Sequence, residues 1–144
     1  MNRINIIKFT IAITLALFLN ISAYAAEVPM YEKLGGKEAI TVVVDDFVAN
    51  IAGDTRINFQ FANTDVPHVK AMLVDMMCMA TGGPCEYKGR DMKSVHENMQ
   101  VTNAQFNAVA ECLYEALSKN GVPYSMQNQI LAMLAPMQRD IVTK

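Results

Sequence analysis

The sequence carries few charges and no cluster of positive charge. Charged side chains make up 18% of its 144 residues, and the formal net charge is −2 at pH 7. A mildly acidic chain of this kind is a poor partner for nucleic acids and for anionic membrane surfaces. Internal repeats, a Gly-rich phosphate loop, a nucleophile–base pair and a carboxylate pair with catalytic spacing are also missing. We therefore expect neither a nucleic-acid-binding protein nor an enzyme built on those catalytic arrangements.

The first part of the chain differs from the rest. A short positively charged start precedes an almost unbroken apolar run over residues 9–19, and an Ala-x-Ala pattern ends at Ala25. That order is typical of a secretory signal peptide, and the run is too short for a good membrane span. We predict a signal peptide over residues 1–25 and one domain over residues 26–144, exported to the bacterial periplasm and free of the membrane once mature. An uncleaved N-terminal anchor is the alternative.

Cysteine is scarce, with only three residues in the chain. An exported protein meets an oxidising compartment, where a disulfide is allowed. Cys78 and Cys85 flank a Thr-Gly-Gly-Pro turn that could bring the two together, so we predict a bridge between them. Cys112 lies in an amphipathic segment, and we expect it to be a buried small apolar residue.

Apolar residues recur at three- and four-residue steps in four segments, which predicts four helices. These helices are predicted over Lys37–Ala52, Val66–Ala80, Asn103–Lys119 and Ser125–Ile141, and Pro136 should bend the last one or leave one of its carbonyls without a partner. No convincing β period occurs, so the fold class is all-α.

The segment between the first two predicted helices is short and aromatic. Phe59 and Phe61 alternate with polar residues there, and we expect a turn or a 3₁₀ piece with both rings directed inward. Thr64 or Asp65 then offers an N-cap for the Val66–Ala80 helix.

Histidine occurs only twice, and His96 is the better placed of the two. It follows a Gly-Arg-Asp helix start, with apolar Met92 and Val95 before it. In that setting one ring nitrogen is free to bind a ligand, while the other can donate to a nearby backbone carbonyl that fixes the tautomer. A half-buried surface histidine is the alternative to a metal or haem ligand. We expect His68 to point to solvent, or else to act as a distal ligand or donor.

Several ordered motifs together carry a resemblance. The motifs are Tyr-Glu-Lys-Leu-Gly-Gly at 31–36, Gly-Gly-Pro at 82–84, Tyr87-x-Gly89, Met92-Lys93-x-x-His96, Thr102-x-x-x-Phe106 and Gly-Val-Pro at 121–123. From residue 31 to 142 the chain resembles the truncated haemoglobins of group I. The resemblance implies a two-over-two helical sandwich around haem b, with His96 as the proximal ligand of the iron. A Cys-x-x-Cys-His motif is missing, so the haem would not be attached in the c-type manner.

The resemblance also implies which residues line the haem. They are Phe47, Val48, Phe61, Val69, Met72, Leu73, Met77, Tyr87, Met92, Val95, Phe106 and Val109. Arg90 and Lys93 are candidates for pairing with the haem propionates, and each could equally be a solvated surface charge.

This chain departs from the family on the distal side. The family often places Tyr where this chain has Val48, and a hydrogen-bond donor near Val69 and Leu73. A pocket without a donor holds O₂ less tightly, so we predict fast O₂ release and easy autoxidation. Met72 lies where some relatives place a second histidine ligand, and it either packs or becomes a sixth ligand of the iron.

The resemblance implies reversible binding of O₂, CO or NO as the function. One alternative is NO dioxygenation, which needs an electron donor that the sequence does not identify. Another is haem electron transfer with Met72 as the sixth ligand. The remaining alternative is an exported four-helix domain without a cofactor.

Overall fold

A computed structural model describes residues 28–144 of the chain. The predicted signal peptide lies outside these residues. Within them all regular secondary structure is helical and no strand forms, so the all-α prediction is confirmed. The helices are α1 Met30–Lys33, α2 Gly36–Gly53, α3 Val66–Ala80, α4 Met92–His96, α5 Asn103–Lys119, α6 Tyr124–Ala132 and α7 Gln138–Ile141, with 3₁₀ turns at Asn58–Phe61 and Ala135–Met137. None of the helices in residues 28–144 is long and apolar enough to cross a membrane.

Local capping signals set the helix starts. Helices α3 and α5 have the predicted bounds, and α2 is one residue longer than predicted at each end. The side chain of Asp65 accepts the backbone N–H of His68 at 3.1 Å and caps α3. Thr102 and Gln105 exchange side-chain and backbone hydrogen bonds in a capping box before α5. These caps satisfy N–H groups that a helix start leaves without a partner inside the helix.

Helix α2 lies at the centre of the fold and buries two stripes of apolar residues. It packs against α5 and against α3. The main core joins Val43, Phe47 and Ile51 of α2 to Ala108, Cys112, Leu113, Ala116 and Leu117 of α5 and to Ile130 of α6. A second cluster joins Ile40 and Val44 of α2 to Val74 and Cys78 of α3. Residues four apart in a helix share a face, so each stripe serves one neighbouring helix.

The prediction of one bent helix over Ser125–Ile141 is wrong. Helix α6 ends at Ala132, and the chain passes through a 3₁₀ turn before α7 begins at Gln138. Pro136 has no N–H to donate, and its ring would collide with the carbonyl of Ala132 one turn earlier. The chain breaks instead of bending, and α7 packs against α4.

The prediction that both phenyl rings of the aromatic turn face inward is also wrong. Phe61 is half-buried against the main core, whereas Phe59 is 56% exposed. A 3₁₀ helix has three residues per turn, so two side chains that are two residues apart point in different directions.

Candidate functional site

His96 is the last residue of α4, a helix of five residues. Asp91 caps this helix by accepting the backbone N–H of Ser94 at 2.9 Å and its hydroxyl at 2.6 Å. These two hydrogen bonds, the hydroxyl first, hold the pKa of the Asp91 carboxyl below its ordinary value. The Gly-Arg-Asp start that the sequence predicted is therefore present.

The imidazole of His96 is half-buried and oriented by its own helix. Its Nδ1 lies 2.7 Å from the carbonyl oxygen of Met92. A carbonyl oxygen can only accept, so this hydrogen bond places the proton on Nδ1. The neutral ring then keeps its lone pair on Nε2, which is the form of imidazole that binds metal.

The segment that carries His96 is tied to the rest of the domain beyond the histidine. The side-chain amide of Gln60 donates to the Met99 carbonyl at 3.1 Å. The backbone N–H of Thr143 donates to the Val101 carbonyl at 3.0 Å. Gln60 and Phe61 are neighbours in the same 3₁₀ turn. The bond from Gln60 to Met99 therefore holds the turn against the chain that follows His96.

The predicted haem-lining residues fall into three groups by packing. Phe61, Leu73, Met77 and Val109 pack against the core cluster that contains Phe47. Val48 packs against the second cluster. The remaining lining residues belong to neither cluster, and these are Val69, Met72, Tyr87, Met92, Val95 and Phe106.

Of the twelve predicted lining residues, Phe47 is buried and the other eleven are half-buried. Large apolar side chains that stay half-buried leave apolar surface that a flat apolar ligand can cover. With an oriented imidazole in the same domain, this set fits haem.

Tyr87 and Gly89 form a tight local arrangement in the loop before α4. The Tyr87 hydroxyl donates to the Arg90 carbonyl at 2.9 Å. A Cβ at residue 89 would overlap the Tyr87 hydroxyl oxygen, so only glycine lets the ring fold back here. Arg90 and Lys93 are both exposed, and within the described residues neither side chain forms an ion pair with the protein. Their predicted contact with the propionates stays a prediction.

Cys78 and Cys85 form a disulfide in the structure, with 5.8 Å between their Cα atoms. Cys112 is a free and buried thiol, as expected from its place in an amphipathic helix. His68 is exposed, and its backbone N–H is used in the cap of α3.

Tyr31 has a structural role that the sequence did not indicate. Its N–H donates to the Thr81 carbonyl at 2.9 Å, and its hydroxyl accepts the N–H of Lys37 at 3.1 Å. Its ring also lies against Gly83, where an added Cβ would come within 2.5 Å of the ring. The Gly-Gly pair at 82–83 was the only local signal of such a close approach.

Comparison with known proteins places the chain in a family. The model of the bacterial-like globin family matches residues 29–143. A group 1 truncated hemoglobin of Mycolicibacterium paratuberculosis is 35% identical over 114 residues, covering 79% of this chain and 84% of that protein. A group 1 truncated hemoglobin of Synechocystis sp. is 35% identical over 121 residues, covering 80% of this chain and 98% of that protein.

Solved structures give the same result. The truncated hemoglobin of Tetrahymena pyriformis in its Fe(III) form has a TM-score of 0.78 at 32% identity, covering 81% of this chain and all of that one (100%). The 2/2 hemoglobin of Synechococcus sp., in the cyanomet state and with covalently attached heme, has a TM-score of 0.76 at 30% identity. The match covers 81% of this chain and 100% of the Synechococcus chain. The chain therefore belongs to the bacterial-like globin family, with the two-over-two fold of the group 1 truncated haemoglobins and with haem as the cofactor for gas binding.

Proposed function

We propose that this protein is an exported haem b protein that binds O₂, CO and NO reversibly, with His96 as the proximal ligand. The observation that carries the proposal is the 2.7 Å contact between His96 Nδ1 and the Met92 carbonyl oxygen. When bound, haem supplies the iron coordination position at which a diatomic gas binds.

The hydrogen bond to Met92 does two things for His96. It fixes the tautomer, so that Nε2 is always the nitrogen available to a metal. It also makes Nε2 a better electron-pair donor to a metal, because the carbonyl oxygen draws the Nδ1 proton toward itself. A carbonyl is a weaker acceptor than a carboxylate, so this gain in the donor strength of Nε2 is moderate.

The distal side in this proposal is formed by Val48, Val69 and Leu73. All three side chains are half-buried and contain only carbon atoms beyond the backbone. They offer no hydrogen-bond donor to a gas molecule. This supports weak retention of O₂, and a smaller effect on CO.

Two features support export. The first is the charged, apolar and Ala-x-Ala order at the start of the sequence. The second is the Cys78–Cys85 disulfide, because disulfides persist in oxidising compartments such as the periplasm and are rare in the cytosol. The two are independent, since one concerns residues 1–25 and the other the folded domain.

Absorption spectra of the haem-loaded protein test the proximal role of His96. We expect His96→Gly to lose the Soret band of the oxidised, reduced and CO-treated wild type, and to regain it when free imidazole is added. His68→Gly serves as the matched control and should keep the wild-type spectra, because His68 is exposed. Haem uptake by His96→Gly with an unchanged Soret band, without imidazole, would overturn the assignment.

A further inference from the structure

The loop between α3 and α4 joins both sides of the proposed haem site. This connecting loop, residues 81–91, runs from the end of the helix with Val69 and Leu73 to the helix with His96. It contains no helical residue and includes Tyr87 and Asp91. The position of this loop therefore determines where the first residue of α4 lies in the domain.

The first part of the connecting loop is firmly attached to the core. The Gly83 N–H donates to the Cys78 carbonyl at 2.8 Å, and the Thr81 carbonyl accepts the Tyr31 N–H. Cys78 is fully buried in the second core cluster, and Cys85 packs against that cluster. The disulfide thus extends the attachment of the loop from Gly83 to Cys85.

The second part of the connecting loop has only local contacts. Lys88 pairs with Glu86, and Tyr87 donates to the Arg90 carbonyl. Asp91 bonds to Ser94 and Val95 of the helix that follows. In the described part of the chain, no hydrogen bond or ion pair joins residues 86–91 to any element other than α4. Cys85 is therefore the last point at which the loop is fixed before α4.

We propose that the Cys78–Cys85 disulfide is a redox-sensitive clasp on the haem-binding segment, and that its opening by a dithiol reductant speeds the loss of haem. This inference rests on the proposed role of His96. The two cysteines act as positioning residues, because they hold the loop that leads to α4 and do not themselves need to touch haem.

The two sulfurs differ in their access to a reductant. Cys78 is 0% exposed, whereas Cys85 is half-buried. A thiolate of the dithiol attacks the Cys85 sulfur, the S–S bond breaks, and Cys78 leaves as a thiolate that takes up a proton. The second thiol of the reductant then attacks the mixed disulfide and releases Cys85 as a thiol. The dithiol becomes a disulfide, so two electrons and two protons pass to the protein.

Opening the clasp lengthens the free segment before α4 without unfolding the core. The Gly83–Cys78 backbone bond remains, so the segment grows only by the residues up to Cys85. Because the segment grows by less than a doubling, loop-closure entropy predicts haem loss up to about threefold faster after opening.

The test measures transfer of ferric haem from the holoprotein to an excess of a haem-scavenging apoglobin. Wild type is compared with and without dithiothreitol, with thiol labelling to show that the disulfide has opened. Cys85→Ser without reductant should match reduced wild type, and dithiothreitol should not change its rate further. If Cys85→Ser fails to fold, reduced wild type alone carries the comparison.

Ile51→Val is the matched control for general destabilisation. Ile51 is buried in the main core and lies outside the cluster that holds Cys78. The proposal predicts that Ile51→Val loses haem at the rate of oxidised wild type, even where its thermal stability falls as much as that of Cys85→Ser. Equal haem loss before and after opening, or equally fast loss from Ile51→Val, overturns the clasp. Failure of the His96 assignment appears separately, as an unchanged Soret band in His96→Gly.

Discussion

The carboxylate of Asp46 accepts a hydrogen bond of 2.7 Å from the ammonium group of Lys119. It also accepts one of 2.8 Å from the side-chain amide of Asn120. These contacts tie the middle of α2 to the end of α5, the two helices that build most of the core. Lys119 lies in the last turn of α5, where a positive charge is favourable to the helix dipole.

Protonation of Asp46 should weaken the domain in acid. Hydrogen bonds from Lys119 and then Asn120 hold the pKa of Asp46 below its ordinary value. A carboxyl whose pKa is lower in the folded state binds fewer protons there, so its contribution is present above the unfolded pKa of about 3.9. It is lost as the pH falls from about 4 through the folded pKa. We expect the melting temperature of Asp46→Asn to fall less between pH 7 and pH 2 than that of wild type, and thermal unfolding across this range measures it.

Asp45→Asn is the control for the acid prediction. Asp45 pairs with Lys70, but its side chain is 54% exposed, against 20% for that of Asp46. Water screens such a surface pair, so its removal should lower Tm less at pH 7. An equal fall in Tm for the two variants at pH 7 would contradict the prediction.

Substitution of Val48 should change O₂ release. Val48→Tyr adds a hydroxyl donor on the proposed distal side, and one hydrogen bond to a charged group is worth roughly 1.5–3 kcal/mol. We expect O₂ dissociation slower by about one to two orders of magnitude, measured by stopped-flow or laser photolysis. Val48→Phe carries the same ring without the hydroxyl and should keep fast release. Very slow O₂ release from wild type would refute the apolar distal side.

Two glycines should respond differently to an added methyl group. A Cβ at Gly83 would lie 2.5 Å from the Tyr31 ring and 2.7 Å from the Cys78 sulfur, whereas one at Gly53 would meet nothing within 4 Å. The disulfide keeps the sulfur from moving away, so Gly83→Ala should cost about 1–3 kcal/mol in the free energy of unfolding. Gly53→Ala in α2 should stay within about 1 kcal/mol of wild type. Chemical denaturation of both variants measures the difference, and equal stability would contradict it.

The location and the start of the mature chain should follow from export. We expect the protein in the periplasmic fraction of a bacterial host, with an N-terminus near Ala26 and the Cys78–Cys85 bridge formed. Fractionation followed by N-terminal sequencing and mass spectrometry measures all three. A chain that begins at Met1 and stays with the membrane fraction would support the uncleaved anchor instead.

The sequence alone was sufficient for the elements that are specified locally. Helices α3 and α5 follow from their apolar period and from the caps at Asp65 and Thr102, which act within one turn. The N-cap of α4 at Asp91 followed in the same way from a Gly-Arg-Asp motif. The hydrogen bond of His96 to its own helix is also local, because Met92 lies only four residues before it.

Only the tertiary structure decided the features that join distant parts of the chain. The apolar period could not show that Asp46 is paired with Lys119, because Lys119 lies in another helix. It could not show that Phe59 faces outward, or that Tyr31 reaches the loop at Thr81 and Gly83. Local sequence fixes backbone geometry over a few residues, whereas exposure and pairing depend on which helices pack together. For this protein, sequence determined helices α2, α3 and α5 and the candidate iron ligand, and packing determined how the loop leading to that ligand is held.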